Sequence, residues 1–356
     1  MSHSLEFNSL PSAVGGFLRA AVARGSGLKK GQTIPRISAV CRGVVADAEG
    51  LRKYRKLCGF RIDGRLPPSY PHILAAPLHL QVLTHKAFPF KLLGAVHVRN
   101  AVIQHRPIAA SEALDVEVFV EGHRDVDAGR EFDLVTKIRD TAGKVAWEST
   151  STNLIRGGSG GKSKKSGWTP PDWSAFELVG DWTVPEDIGR RYGLIAGDVN
   201  PIHMHALAAK PFGFKRAIAH GMYSYARCVA RLLPEDADAV SLTVAFKRPV
   251  FLPSRVELLA REDAQGSEYL LTNAARDTVY LEGRIDRPQA AGSAPAAKKA
   301  VGKKAAAKKA TAKKAAAKKS AAKKSARKAT AKKATAKKAT ASKSAARKTA
   351  AKKTGA

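Results

Sequence analysis

A carboxylate and an imidazole stand five residues apart in Gly197-Asp198-Val199-Asn200-Pro201-Ile202-His203, and His220-Gly221-Met222 begins seventeen residues after His203. An acid and an imidazole at this spacing suit one task, holding a single water and moving its proton. The later glycine offers a backbone N–H that could meet an oxyanion. Asn200-Pro201 is a turn signal, and the proline pushes Asn200 out of the α region. Gly197 tolerates backbone angles that other residues resist. The turn therefore presents Asp198 and His203 from an irregular segment rather than from one helix face. A carboxylate buried there would have a raised pKa, with the imidazole sharing its load.

These residues need elements to hold them. Thr183-Val184-Pro185-Glu186 has the form of a capping box with proline inside the first turn. Ile188, Tyr192 and Ile195 then give the following helix one apolar face. A second helix is predicted from about Gly221 to Leu233-Pro234, with Met222, Tyr225, Val229 and Leu232 at helical spacing. Gly221 falls at its start, where N–H groups are unpaired and the dipole is positive. Losing one oxyanion donor typically costs about 2.7–4 kcal/mol of transition-state stabilisation. Leu242, Val244 and Phe246 alternate with smaller residues as in a half-buried strand, and further strands fit 255–262, 268–275 and 278–285. One long apolar helix beside a run of antiparallel strands predicts an α+β fold, a sheet wrapped around a helix.

The pattern occurs twice. Ile103-Gln-His-Arg-Pro-Ile108 leads into the alternating run Leu114–Glu121, and Ala245-Phe-Lys-Arg-Pro-Val250 leads into Ser254–Ala260. The two Arg-Pro pairs lie 142 residues apart. Aligned on them, Leu78-His79 falls where His220-Gly221 stands, and the Gly-Asp-x-Asn-Pro-x-His string has no counterpart before residue 150. The expected division is an N-terminal segment (1–33), a degenerate repeat (34–156), a Gly/Ser/Lys linker (157–167), a catalytic repeat (168–288) and a tail (289–356).

Residues 183–285 resemble the R-specific enoyl-thioester hydratases, the MaoC-like dehydratases of the hot-dog fold. The signature runs from Tyr192 to Ala208 and continues through His220-Gly221-Met222. The resemblance implies that Asp198 and His203 are the catalytic dyad that activates water. It implies further that Asn200 positions the substrate site and that Gly221 supplies the oxyanion N–H. The whole of 34–285 resembles double hot-dog members, in which two repeats in one chain mimic a dimer and the first lacks the motif. One site per chain follows, with the degenerate half shaping an acyl pocket. The implied activity is reversible hydration of trans-2-enoyl thioesters, or dehydration of (R)-3-hydroxyacyl thioesters, carried on CoA or acyl carrier protein, with no cofactor. Rival readings are a nucleic-acid-associated acyl-binding protein and a hot-dog thioesterase. The dyad spacing argues against the thioesterase.

Other candidates carry less. His203-x-His205 has ligand spacing, but a proline turn precedes it and neither a cysteine nor a third histidine stands nearby in sequence, so no metal is expected. His79, His85, His97 and His105 lack a recurring acidic partner and read as packing or surface residues. Ser224 lacks a nucleophile elbow. Cys41, Cys58 and Cys228 have no ligand spacing and suit a reducing interior. Lys210, Lys215, Arg216, Lys247 and Arg248 flank the motif and suit a phosphate-bearing carrier or scattered surface charge.

Charge is lopsided. Of 62 basic residues, 23 fall in 291–356 without one acidic residue, leaving 39 against 30 acidic on the remainder. Basic pairs start at 298, 303, 308, 313, 318 and 323, with a four-residue step to Arg327-Lys328. The five-residue step is about 500° on a helix, so the pairs spiral around all sides and build no apolar face. A disordered tail is expected. It resembles histone linker tails and nucleoid-protein extensions in composition only. Residues 298–353 would bind DNA, RNA or another polyanion by counterion release, without reading bases. No apolar run is long enough to span a membrane. Residues 9–31 are basic but interrupted by glycines, which favours a surface segment that packs locally or is disordered over a targeting peptide. The expected place is the cytoplasm, with the tail a link to the nucleoid. The internal pseudo-dimer leaves further oligomerisation open.

Overall fold

The structure is a computed structural model and describes residues 2–22, 25–92, 94–157 and 172–287. The linker, apart from Gly157, and the basic tail lie outside the described residues. The first half contributes strands β1 (His3–Phe7), β2 (Ile37–Val44), β3 (Ala95–Gln104), β4 (Leu114–Val120), β5 (Arg124–Val126), β6 (Gly129–Arg139) and β7 (Val145–Arg156). The second contributes β8 (Glu177–Val184), β9 (Val240–Phe246), β10 (Ser254–Glu262), β11 (Gly266–Asn273) and β12 (Val279–Asp286). The helices are α1 (Ala13–Val22), α2 (Ala48–Cys58), α3 (Pro71–Leu83), α4 (Ile188–Ala196), α5 (Pro201–Met204), α6 (Ala206–Ala209) and α7 (Gly221–Leu232).

All strands join one sheet in the order β1-β2-β4-β6-β7-β3-β9-β12-β11-β10-β8, with β5 paired to β6 off this path. The order β2-β4-β6-β7-β3 is repeated in reverse as β9-β12-β11-β10-β8. Equivalent strands β3 and β9 meet antiparallel at the centre, with Asn100 opposite Val244 and Gln104 opposite Val240. An antiparallel pair of equivalent elements is what a two-fold axis demands. Here the axis lies within one chain, giving the expected α+β double hot-dog.

Each half wraps its strands around one long helix, α3 or α7. The alternation in β4 explains the packing, because Leu114, Val116, Val118 and Val120 are each 0% exposed while the residues between them are half-buried. Full burial of such side chains stabilises by about 1.5–3 kcal/mol each. Trp147, also buried, donates its indole N–H to the Pro68 carbonyl at 2.8 Å, tying β7 to the loop that leads into α3.

Two expectations need correction, and one open alternative is resolved. Thr183 is not a helix cap: it lies in β8, paired with Arg255 of β10. Sheet hydrogen bonding outcompetes the local capping pattern, Pro185 follows the last strand residue, and α4 starts at Ile188 without a side-chain cap. For the N-terminal segment, local packing is the alternative found among the described residues. Its β1 pairs parallel with β2, and α1 packs on α3 with Gly16 against Leu80. Finally, Leu78-His79 sits in the middle of α3, not at a helix start. The structural counterpart of Gly221, the first residue of α7, is Pro71, the first residue of α3.

Candidate active site

The Gly197–His203 turn lies directly on α4. A Cβ at Gly189 would collide with the His203 carbonyl, and one at Gly193 would lie 2.6 Å from the Asp198 carbonyl oxygen. Two glycines, four apart on one helix face, thus let the turn approach the α4 backbone. Gly197 ends α4 with φ +69°, a left-handed conformation natural to glycine. The side chain of Ala13 from α1 covers its Cα, so a side chain at 197 would be both strained and obstructed.

From this support the turn places its functional groups. The Asp198 carboxylate accepts the Asn200 N–H at 3.2 Å. Asn200 in turn uses its side-chain oxygen to accept the Ile202 N–H, capping the short α5. Its observed work is therefore to shape the turn. Pro201 opens α5, and Asn200 is extended as expected, at φ −55° and ψ 127°.

His203 is buried at 8% exposure. Its Nδ1–H donates to the Ile218 carbonyl at 2.8 Å, which fixes the tautomer and leaves Nε2 as a free acceptor. Burial lowers its pKa, opposed by the negative charge of Asp198 and by the Ile218 bond, so the ring is a neutral base. The His220 ring stacks on His203 with centroids 3.7 Å apart and planes 26° apart. Its Nε2–H donates to the Asp198 backbone carbonyl at 3.0 Å. Burial, with the neighbouring imidazole, pushes the His220 pKa down to about 3. The Asp198 side chain keeps 40% exposure, so the expected buried carboxylate is instead a half-open one, available to a ligand.

Asp198, His203 and His220 bring ligating atoms within 4.8 Å of one another, a composition that could suit a cation. The ring geometry opposes it. Imidazole lone pairs lie in the ring planes, and two stacked planes tilted by 26° converge far beyond a metal–nitrogen bond of about 2.0–2.1 Å. His205 is committed elsewhere, its Nδ1 accepting the Leu207 N–H at the start of α6.

Gly221 opens α7, and its cap residue His220 makes no side-chain capping bond. The first N–H groups of the helix thus face outward with the positive dipole end. A Cβ at Gly221 would lie 2.9 Å from two carbons of the Phe246 ring, so a side chain there would have to displace the ring or the helix start. Asp198, His203 and Gly221 therefore meet in one region, with Asn200 behind them.

The first half also reaches this site. Burial lowers the pKa of His72 to about 4 and of His97 to about 3, and in both the Asp198 charge acts in the opposite direction. The two rings stack at 6.2 Å, and His97 packs on Phe246 at 5.1 Å. His97 is thus no remote packing residue, and His72 escaped notice in the sequence. No sequence signal pairs them, because His72 lies in the first turn of α3 and a bulge between His97 and Arg99 takes His97 out of the β3 alternation. His79 hydrogen-bonds Thr136 at 2.9 Å. His105 does have an acidic partner, Glu148 at 3.1 Å, on the outside of the sheet.

Comparison with known proteins agrees with this fold. Residues 174–268 match the model of the MaoC like domain. The chain is 31% identical over 281 residues to the 3-hydroxyacyl-thioester dehydratase X of Mycobacterium tuberculosis, covering 77% of this chain and 98% of the relative. The chain belongs to the MaoC-like dehydratase family. A crystal structure of HtdX from the same organism superposes with a TM-score of 0.61 at 31% identity, over 70% of this chain and 98% of that one. A MaoC-like dehydratase from Phytophthora capsici shares the fold at TM-score 0.56 and 20% identity, over 73% of this chain and 97% of that one.

Proposed function

We propose that the chain hydrates trans-2-enoyl thioesters reversibly and, in the other direction, dehydrates (R)-3-hydroxyacyl thioesters. The observation that carries this is the free Nε2 of His203, set by the Nδ1–Ile218 bond, beside the half-open Asp198 carboxylate and the start of α7. In hydration, Asp198 and His203 hold one water. His203 Nε2 takes a proton from it as the oxygen bonds to C3. The π electrons of the C2–C3 double bond move into the thioester carbonyl, and the Gly221 N–H donates to the enolate oxygen so formed. The enolate then takes the proton from His203 at C2, on the face where water added, so addition is syn.

The carrier is CoA or acyl carrier protein. Lys210 and Lys215 are exposed near the site, and the Arg216 guanidinium packs over the Phe251 ring at 5.6 Å. Lys247 is bound instead to Glu282 at 2.6 Å. These positions support a phosphate-bearing carrier on the α6–α7 side. Residues 298–353 act separately as a polyanion-binding extension, a role supported by their sequence charge. The two halves, 34–156 and 168–288, form one internal pseudo-dimer with one site. Among the described residues, no helix is long and apolar enough to cross a membrane.

The test follows loss of the conjugated-thioester absorbance with enoyl-CoAs of increasing length. Asp198→Asn should slow turnover by roughly 10²–10⁴-fold, the range of general acid–base catalysis, with the fold intact by circular dichroism. Full activity in Asp198→Asn would refute the dyad. Release of free thiol without hydration would identify a thioesterase.

A further inference from the structure

The inner wall of the first half is polar where the second half is apolar. On β9 the buried inward residues are Val240, Leu242 and Val244. The β3 residues paired with them are Gln104, Val102 and Asn100, and the β7 residues beside Asn100 and Val102 are Ser151 and Ser149. Some of these groups satisfy one another, as where Asn100 Nδ2 donates to Ser151 Oγ at 2.9 Å. Others do not. His72 Nδ1, His97 Nε2, Asn100 Oδ1, Gln104 Oε1 and Ser149 Oγ are all shielded from solvent without a hydrogen-bond partner. Asn100, Gln104 and Ser149 are only 2–3% exposed.

Unpaired buried polar atoms are destabilising, and native proteins leave few of them. Three more lie in the second half, at Trp182 Nε1, His220 Nδ1 and Tyr225 Oη, but the five of the first half follow β3 and its neighbours and call for a polar occupant. The row begins at the reaction centre, since His72 and His97 both feel the Asp198 charge and His97 lies against Phe246. It continues along β3 to Asn100 and Gln104. A plain hydrocarbon chain leaving the active site along this wall would leave every one of these groups unpaired. An acyl chain carrying oxygen would not.

We propose that the enzyme is selective for acyl thioesters bearing a hydroxyl or keto oxygen beyond the reacting C2–C3 pair, with His72, His97 and Asn100 as the residues that read it. The proposal rests on the hydratase reading of Asp198 and His203. A neutral imidazole and an amide serve either oxygen type, because each offers both a donor and an acceptor.

The test uses the full chain and two enoyl-CoAs of equal length, one plain and one with a hydroxyl four carbons beyond the double bond. The readout is the ratio of their kcat/KM values, which is insensitive to the fraction of folded enzyme. Wild type should favour the hydroxylated chain by roughly 10–100-fold, the discrimination available to a site built to pair a substrate oxygen. His97→Phe, Asn100→Leu and His72→Met (the last restoring the residue type at the matching place in α7) should each shrink the ratio. His97→Asn should keep part of it. A wild-type ratio of one or below would overturn the proposal, as would a ratio unchanged in all the apolar variants. Failure to hydrate either substrate would overturn the hydratase reading itself, and this proposal with it.

Discussion

Gly221→Ala tests whether the start of α7 is an oxyanion site with a geometric requirement. The added methyl would sit 2.9 Å from Cδ1 and Cε1 of Phe246 and 3.4 Å from Cζ. Optimal carbon–carbon separation is about 3.5–4.0 Å, so ring and helix start must part by roughly 0.6–1 Å. The Phe246 ring is half-buried and backed by His97, so part of that movement falls on the helix. Overpacking of this kind costs about 1–3 kcal/mol, offset in part by the lower chain entropy of alanine, worth about 0.4–1 kcal/mol. Stability should therefore change little. Activity should not be spared, because a misplacement of about 1 Å in a positioned group costs up to ~100-fold. Turnover should slow by roughly 10–100-fold, with a thermal midpoint within a few degrees of wild type. The assay is enoyl-CoA hydration, paired with a melting curve. A relief variant isolates the steric cause: Phe246→Leu added to Gly221→Ala removes the obstructing ring edge and should restore turnover at least tenfold. If Gly221→Ala retains full activity, or if Phe246→Leu gives no recovery, the oxyanion assignment to this N–H is wrong.

Gly189→Ala should be more damaging than Gly193→Ala, because its methyl meets the His203 carbonyl head-on while the other meets the Asp198 carbonyl and the flexible Met204 tip. Thermal melts should show a loss above about 3 kcal/mol for the first, and equal stability of the two variants would contradict the packing described. Acid should unfold the protein early. Burial depresses His72 to about 4 and His97 and His220 to about 3, whereas the unfolded chain takes up these protons near pH ~6.5. Stability is then full above about pH 6.5, declines as pH falls from there towards the folded values, and levels off below them. The slope is up to about 1.4 kcal/mol per pH unit for each ring, so a urea midpoint unchanged between pH 7.5 and 5 would refute the burial of neutral imidazoles. Removing 289–356 should leave hydration rates intact and abolish salt-sensitive DNA binding, whose log–log slope in the full chain reports about 0.9 per phosphate neutralised. Equal DNA affinity with and without the tail would show that the extension is not the contact.

The parts legible in sequence were those whose cause is local. The turn at Gly197–His203 announces itself through glycine, proline and two titratable groups, and α7 through apolar spacing from Met222 to Leu232. The strands β10 to β12 follow from alternation and appear within a few residues of their expected bounds. What escaped depended on distant partners. Residues Glu177–Val184 alternate poorly, and only pairing with β10 makes them a strand. That pairing also took Thr183 away from the helix its local pattern suggested. β1 exists because the edge of β2 was open to it. Gly189 and Gly193 carried a readable spacing, but their purpose appears only when the turn lies on them. His72 and His97 are about a hundred residues from Asp198 in sequence, and no local pattern connects them to it.

On the proposed mechanism, the two halves also explain why the internal two-fold would yield one site rather than two. A second site would need both a dyad and an oxyanion donor at the mirrored position. The first half has neither the Gly-Asp-x-Asn-Pro-x-His string nor a donor at the start of its long helix. The residue that opens α3 is Pro71, and proline has no N–H to give. No change to the preceding turn alone could therefore restore catalysis there; the helix start would have to change as well. The first half holds histidines and amides along its inner wall, and the paired residues on β9 are valine and leucine. Loss of the donor and gain of the polar wall fall on the same helix and strands. On the two proposals together, this suits a half that recognises what the other half transforms.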